Sequence, residues 1–373
     1  MSNIIIIILS IFMVIGAVDK VLGNKIGLGE KFTEAFQSMG MLALSMIGII
    51  SLSPVLANIL IPIITPVYEL IGADPSMFAS TILALDMGGY SLAMEMAKSS
   101  DAATFSWVFL GTTMGATIVF TIPVALGLIE KTDYHYFSKG ILIGLANIPV
   151  GCMIGGVFAG YDLKWMLINL IPTLIFSTVI ILGMIFLPLY VIKTFKVFSK
   201  GIESLIMIGL ILIMLETSTG IQVVKGLLPF SEGMNTVGMI TITLAGAFPF
   251  VLILQKVLTR PFIKIGERIN VNKYSLIGLL ASLAHLIPAF MLFKEMDGRG
   301  KVIVTAFAVS GAFVFGSHLG FVATMEKEMV LPMIIGKLSA GFLSIISAVV
   351  FTKEKSPKGS LLQKTSRFLK VPI

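Results

Sequence analysis

Apolar residues run along most of this chain in eleven long stretches, separated by short polar connections. A helix needs roughly 20 apolar residues to cross the hydrocarbon of a bilayer, and each stretch is close to or above that length. The stretches run approximately from 3 to 21, 38 to 60, 76 to 97, 105 to 129, 140 to 159, 165 to 192, 201 to 224, 234 to 257, 276 to 293, 302 to 323 and 329 to 351. The pattern predicts an all-α polytopic membrane protein with about 9–11 transmembrane helices.

Composition supports this prediction and excludes a soluble enzyme. Of 373 residues, 56% are apolar and 13% charged, and the mean hydropathy is +1.00. The formal charge of +7 would suggest nucleic acid as a partner of a soluble protein, but in a membrane protein basic residues first determine topology. We therefore predict a lipid bilayer as partner and no nucleic acid.

Basic residues predict how the stretches are threaded, because cytoplasmic connections are enriched in Lys and Arg. With eleven crossings and the N-terminus outside, 15 basic residues fall inside and 11 outside. If the third and ninth stretches instead enter and return on one side, 22 fall inside and only 4 outside. The charge distribution predicts nine crossings, two re-entrant hairpins and a basic cytoplasmic tail over 354–373.

Both predicted hairpins contain a helix-breaking sequence near their midpoint. Asp86-Met-Gly88-Gly89 interrupts the first, and His285-Leu-Ile-Pro288 interrupts the second. Non-helical backbone at membrane depth has to be buried in protein or line a wet cavity. The alternative is a pair of ordinary kinked helices, since Gly and Pro are tolerated in spanning helices.

The two halves of the chain resemble each other weakly. Gly48 recurs as Gly246, 198 positions later, and Asp86 falls opposite His285 at an offset of 199. Nine crossings make the halves antiparallel, and inverted repeats with broken elements at the midplane are typical of secondary transporters. We predict one transport domain over 1–353, with repeats at about 1–160 and 201–352 and a linker helix at about 165–192.

Asp86 is the foremost candidate for chemistry. A charged side chain at the bilayer centre costs about 2.5–3.5 kcal/mol on insertion scales, so an acid there is a functional candidate by default. Asp86 lies beside Gly88 and Gly89, where freed backbone groups would form a polar cavity. We predict that it binds a cation; the alternative is that it caps the half-helix after the break.

Other polar residues in apolar stretches are weaker candidates, each with a packing role as the alternative. Tyr90 offers its ring to an ammonium group, a contact worth about 0.5–2 kcal/mol. His285, His318 and Asn147 lie near glycines or prolines, and the deeply placed Lys337 needs a carboxylate or carbonyl partner. The predicted substrate-binding set is Asp86, Gly88, Gly89, Tyr90, Asn147, His285 and His318.

No motif predicts a cofactor or a metal. The chain has no P-loop, zinc-spaced His pair or Gly-x-Ser-x-Gly elbow, and its single cysteine, Cys152, lies in an apolar run. We therefore expect neither an enzyme nor ATP-driven transport, and the sequence leaves a homo-oligomer open.

Several segments resemble one family, the ethanolamine transporters of bacterial ethanolamine-utilisation systems, of the EutH type. The resemblance is carried by Pro66–Ala79, Leu85–Gly89, Gly115–Gly127, Ile148–Gly156, Met296–Val302, His318–Phe321 and Pro332–Lys337. It implies uptake of ethanolamine across the bacterial cytoplasmic membrane, in which Asp86 would meet the ammonium group and Asn147, His318 or freed carbonyls the hydroxyl.

The sequence does not decide the mode of transport or exclude other functions. Facilitated diffusion of the cation would suffice, and proton coupling through Asp86 or His318 is the alternative. A carrier for another small amine or polar metabolite, a membrane-embedded enzyme acting on lipid headgroups, and a non-transporting scaffold are the other readings.

Overall fold

The computed structural model describes residues 2–352, and the side chains of all of these except 2, 3, 189 and 258–268. The predicted tail over 354–373 lies outside the described residues. The helices are α1 (Ser2–Val21), α2 (Leu28–Ile71), α3 (Ser76–Ile82), α4 (Gly89–Met96), α5 (Ser100–Phe105), α6 (Ile122–Leu128), α7 (Tyr134–Ala159), α8 (Leu163–Phe186), α9 (Pro188–Thr219), α10 (Phe230–Ile269), α11 (Lys273–Ser282), α12 (Leu286–Met291), α13 (Gly298–Gly311), α14 (Ser317–Met325) and α15 (Val330–Phe351). π-helical turns at Ser106–Gly115 and Thr117–Thr121 join α5 to α6.

Eight helical segments of the described chain are long and apolar enough to cross a membrane. They are Ile4–Val21, Leu28–Ile71, Ser100–Leu128, Lys131–Ala159, Leu163–Phe186, Tyr190–Thr219, Phe230–Val257 and Lys327–Phe351. This confirms an all-α polytopic membrane protein. The third and ninth apolar stretches instead form pairs of short helices, and the tenth is divided between α13 and α14.

The first of these pairs, α3 and α4, is a hairpin whose two ends meet. The backbone N–H of Lys98 donates to Oδ2 of Asp74 at 3.0 Å, and the Lys98 ammonium also pairs with Glu69. Asp74 precedes α3 and Lys98 follows α4, so the chain leaves this segment where it entered. The two short helices pack against each other and against the π-helical turns.

The second pair, α11 and α12, has the same arrangement. The backbone N–H of Asn272 donates to Oδ1 of Asp297 at 2.8 Å, and the Asn272 amide donates to the Glu295 carbonyl at 2.8 Å. Asn272 precedes α11, whereas Glu295 and Asp297 follow α12. Both segments singled out by the basic residues therefore fold back on themselves.

The break between α13 and α14 lies against the tip of this second hairpin. Phe313 has a φ of 60°, unusual for a residue with a bulky side chain. Its N–H donates to the Ser282 carbonyl at 2.9 Å, and the N–H of Phe315 donates to the Leu283 carbonyl at 3.0 Å. Neighbouring backbone thus satisfies amides that would otherwise be unpaired in the membrane interior.

The long helices α2 and α10 pack against each other. α2 has 44 residues, or about 66 Å at 1.5 Å per residue, more than twice the thickness of a bilayer core. A Cβ added at Gly48 of α2 would overlap the Ile206 carbonyl of α9, and one added at Gly246 of α10 would overlap the Leu9 carbonyl of α1. Each long helix therefore approaches the first helix of the other half backbone to backbone.

Candidate functional site

The tip of the first hairpin is built from a short extended segment, a 3-10 turn and a left-handed glycine. Ala84 is extended, the turn covers Leu85–Met87, and Gly88 has a φ of 100°. The N–H groups of Met87 and Gly89 both donate to the Ala84 carbonyl, at 2.9 and 2.8 Å. Glycine is required at 88 by this backbone conformation and at 89 by the nearby Leu83 and Ala84 carbonyls.

Asp86 lies in this turn, deep in the protein, and part of its surface remains accessible. Its carboxylate makes no hydrogen bond or ion pair with another described residue. The N-cap of α4 is Gly88, and no side chain caps that helix end. The arrangement therefore does not support a capping role for Asp86 and leaves its carboxylate available for a ligand.

Three aromatic rings adjoin the tip. The ring of Tyr90 lies 5.1 Å from that of Trp107 and 5.3 Å from that of Phe321, in edge-to-face contacts, and Trp107 lies 6.0 Å from Phe321. They come from α4, the π-helical turns and α14. Since the 3-10 turn that carries Asp86 also contacts α14, elements from both halves come together at this tip.

The first hairpin packs closely against the π-helical turns at two glycines. A Cβ added at Gly115 would overlap the Leu83 carbonyl, and one added at Gly111 would lie 3.4 Å from Leu85. π-helical turns are rare and are frequently found at functional sites. Here they widen the helix where the hairpin tip docks.

Two further polar groups are buried on helices that contact the hairpin tip or the π-helical turns. Lys337 is 2% exposed, and its ammonium donates to the Thr112 carbonyl in the π-helical turns, so its partner is the carbonyl rather than the carboxylate of the two expected kinds. His318 is also 2% exposed, and its Nδ1 has no hydrogen-bond partner within the described part of the chain. His318 and Phe321 are three residues apart on α14 and so share a face.

The remaining predicted site residues make their contacts elsewhere. The amide of Asn147 donates to the Ile143 carbonyl at 2.8 Å and approaches Oγ of Ser347 at 3.5 Å, within the contact of α7 with α15. His285 lies at the tip of the second hairpin, 3.9 Å from Glu34. The structure thus groups Asp86, Gly88, Gly89 and Tyr90 at one tip, and His318 lies on α14, whose Phe321 contacts Tyr90. Among the described residues, no hydrogen bond, ion pair or ring contact joins Asn147 or His285 to this group.

Sequence reasoning missed the aromatic partners of Tyr90. Trp107 and Phe321 belong to apolar stretches in which an aromatic residue is usually a packing residue, so their types carry no signal. For Phe321 a weak signal existed, since its spacing of three from His318 puts both on one face of a helix.

Broken helices inside a membrane bundle are typical of secondary transporters, and here one break carries a carboxylate that has no partner among the described residues. The fold and the site therefore place the chain in this class of multi-pass membrane proteins. The chain belongs to the EutH family: the family model described as "Ethanolamine utilisation protein, EutH" matches residues 1–351.

Relatives align over nearly their whole length. The "Uncharacterized protein YxeR" of Bacillus subtilis strain 168 is 52% identical, covering 96% of each chain. The "Probable ethanolamine permease EutH" of Listeria monocytogenes is 45% identical, covering 98% of each, and the Escherichia coli K12 protein of the same name is 40% identical, covering 95% of this chain and 96% of its own. No solved structure matches the chain. This is a multi-pass protein of the bacterial cytoplasmic membrane.

Proposed function

We propose that this chain is a permease that carries ethanolamine into the cell, with Asp86 as the acceptor for its ammonium group. The names of the Listeria and Escherichia relatives support the substrate. The observation that carries the proposal is the Asp86 carboxylate, which lies deep in the protein at a hairpin tip without a partner among the described residues.

The chemistry of the substrate fits this site. The amine of ethanolamine has a pKa near that of Lys, about 10, so the molecule is a cation at neutral pH and crosses lipid poorly. A buried carboxylate is costly unless it is paired, and the ammonium supplies the missing partner. The rings of Tyr90, Trp107 and Phe321 supply apolar and π surface for an organic cation.

We assign the substrate hydroxyl to His318. A buried polar atom without a partner costs about 1–3 kcal/mol, and a hydroxyl satisfies an imidazole nitrogen in either tautomer because it both donates and accepts. His318 shares a helix face with Phe321, whose ring contacts Tyr90 on the Asp86 hairpin. This shared face and the Nδ1 atom, which has no partner among the described residues, support the assignment.

Facilitated diffusion through an inverted repeat is the mode of transport that we propose. An inside-negative potential of 100 mV drives a monovalent cation inward by about 2.3 kcal/mol, so uptake needs no second ion. The two hairpins, the paired glycine contacts of the long helices and the bias in basic residues support two halves of opposite orientation. In this proposal the two repeats cover about 1–160 and 201–352, and α8 is the linker between them.

The test is uptake of labelled ethanolamine by the purified chain in liposomes. Asp86→Asn keeps the size of the side chain and removes its charge, and we expect its uptake to fall to the level of empty liposomes. Glu95→Gln is the matched control, because Glu95 is an exposed acid on α4 of the same hairpin, and we expect it to transport normally.

Three outcomes would contradict the proposal. Unchanged uptake by Asp86→Asn would remove Asp86 from the site. If another small amine or polar metabolite were taken up in preference to ethanolamine in a competition experiment, that compound would be the substrate instead. Release of ethanolamine from phospholipid by the purified protein, without uptake, would favour a headgroup enzyme over a permease.

A further inference from the structure

A pocket of about 210 Å³ lies at the tip of the second hairpin, between that hairpin, α2 and α10. Its lining includes Lys31, Glu34, Phe248, Gln255, His285 and Pro288. The side chains of Glu34 and His285 are 36% and 39% exposed, so the pocket is open to a ligand.

The polar groups of this pocket match a small amino alcohol. Oε1 of Glu34 lies 3.9 Å from Nε2 of His285, and the Phe248 ring lies 5.1 Å from the imidazole. A carboxylate suits an ammonium group, and an imidazole nitrogen suits a hydroxyl. The volume exceeds what a two-carbon molecule needs and leaves room for bridging water.

This pocket is distinct from the Asp86 site. A Cβ added at Gly88, two residues from Asp86, would meet Ile49 of α2. Glu34 precedes Ile49 on the same helix by roughly 22 Å, at 1.5 Å per residue. The two hairpin tips therefore contact α2 at well separated levels.

We propose that the pocket is a second binding station for the transported amino alcohol, in which Glu34 binds the ammonium and His285 the hydroxyl. This proposal rests on the proposed function, since it assumes the same substrate. It assigns substrate binding to Glu34, which is not in the predicted site, and gives the second hairpin the same role as the first.

Lys31 distinguishes a binding role of Glu34 from a structural one. Its ammonium lies 2.6 Å from Oε2 of Glu34, and both side chains are 36% exposed. Exposed pairs of this spacing are weak, so a ligand ammonium can displace Lys31. Removing Lys31 then removes a competitor, and the pocket binds the ligand more tightly, whereas a purely structural pair would give no gain.

The experiment is equilibrium binding of labelled ethanolamine to the purified full chain in detergent. We expect two molecules bound per wild-type chain and one per Asp86→Asn chain. In the Asp86→Asn background, Glu34→Gln should weaken the remaining site about tenfold, because a charge-assisted hydrogen bond is lost. Lys31→Gln should tighten it several-fold, and Glu30→Gln, the exposed acid at the start of the same helix, should leave it unchanged.

The outcomes separate this proposal from the proposed function. No ethanolamine bound to wild-type protein would overturn both. One molecule per wild-type chain, lost in Asp86→Asn, would overturn the second station and leave the permease intact. Equal affinities in the Glu34→Gln and Glu30→Gln variants, with thermal stabilities unchanged, would also overturn it.

Discussion

At the scale of single residues, Gly115 determines how closely the Asp86 hairpin docks on the π-helical turns. A methyl group there would overlap the carbonyl oxygen of Leu83, a backbone atom that cannot rotate aside. We expect Gly115→Ala to destabilise the protein by about 1–3 kcal/mol and to lower ethanolamine uptake, because the tip must shift. Thermal unfolding in detergent and liposome uptake measure both effects.

Gly127, in α6 of the same continuous helix, is the control for that substitution. A Cβ added there meets no atom within 4 Å, and alanine is the better helix former. Gly127→Ala should therefore be as stable as the wild type or more stable. If the two alanine variants unfolded at the same temperature, the close docking of the hairpin tip would be wrong.

Also at this scale, the sequence singled out Asp86 as a candidate but did not indicate which residues surround it. An acid in an apolar stretch stands out because the membrane penalises charge. The contacts of Tyr90 with Trp107 and Phe321 join three separate elements, so they depend on packing that no local pattern encodes.

At the scale of elements, the two hairpins were predictable and the break near Phe313 was not. The third apolar stretch is long enough to span, and only the distribution of Lys and Arg favoured a hairpin. Between Gly311 and Gly316 the chain has no proline and no charge, and its amides bond instead to the Ser282 and Leu283 carbonyls. Tertiary hydrogen bonds thus override local helix propensity at this break.

A buried ion pair connects elements of the two halves. Lys301 of α13 donates to Asp133, just before α7, at 2.6 Å, and its ammonium lies 5.6 Å from the Tyr136 ring and 5.8 Å from the Phe293 ring. Removing one partner of a buried pair leaves an uncompensated charge. We expect Asp133→Asn to cost about 3–5 kcal/mol of stability, measured as the melting temperature in detergent.

Two further variants test whether that loss comes from the unpaired charge. Glu130→Gln removes an exposed acid from the same connection and should have little effect. The double variant Asp133→Leu, Lys301→Met replaces the pair by apolar groups and should recover most of the stability. A double variant as unstable as Asp133→Asn would instead point to a loss of packing.

At the scale of the whole molecule, the order of elements recurs on either side of α8. Each half has a single helix, a helix of 40 residues or more, a hairpin, a further helical stretch and a final helix; the further stretch is π-helical in the first half and broken in the second. The crossed contacts of Gly48 with α9 and Gly246 with α1 interlock the halves.

The same architecture leads to a prediction about the driving force. If the protein admits only the ethanolamine cation, the membrane potential alone sets the accumulation. An inside-negative potential of 100 mV, imposed by a potassium gradient and valinomycin, is worth about 2.3 kcal/mol, or about fifty-fold accumulation. Labelled ethanolamine in liposomes should approach this ratio with no pH gradient and no sodium. Accumulation beyond it, or dependence on a pH gradient, would show that a second ion moves with the substrate.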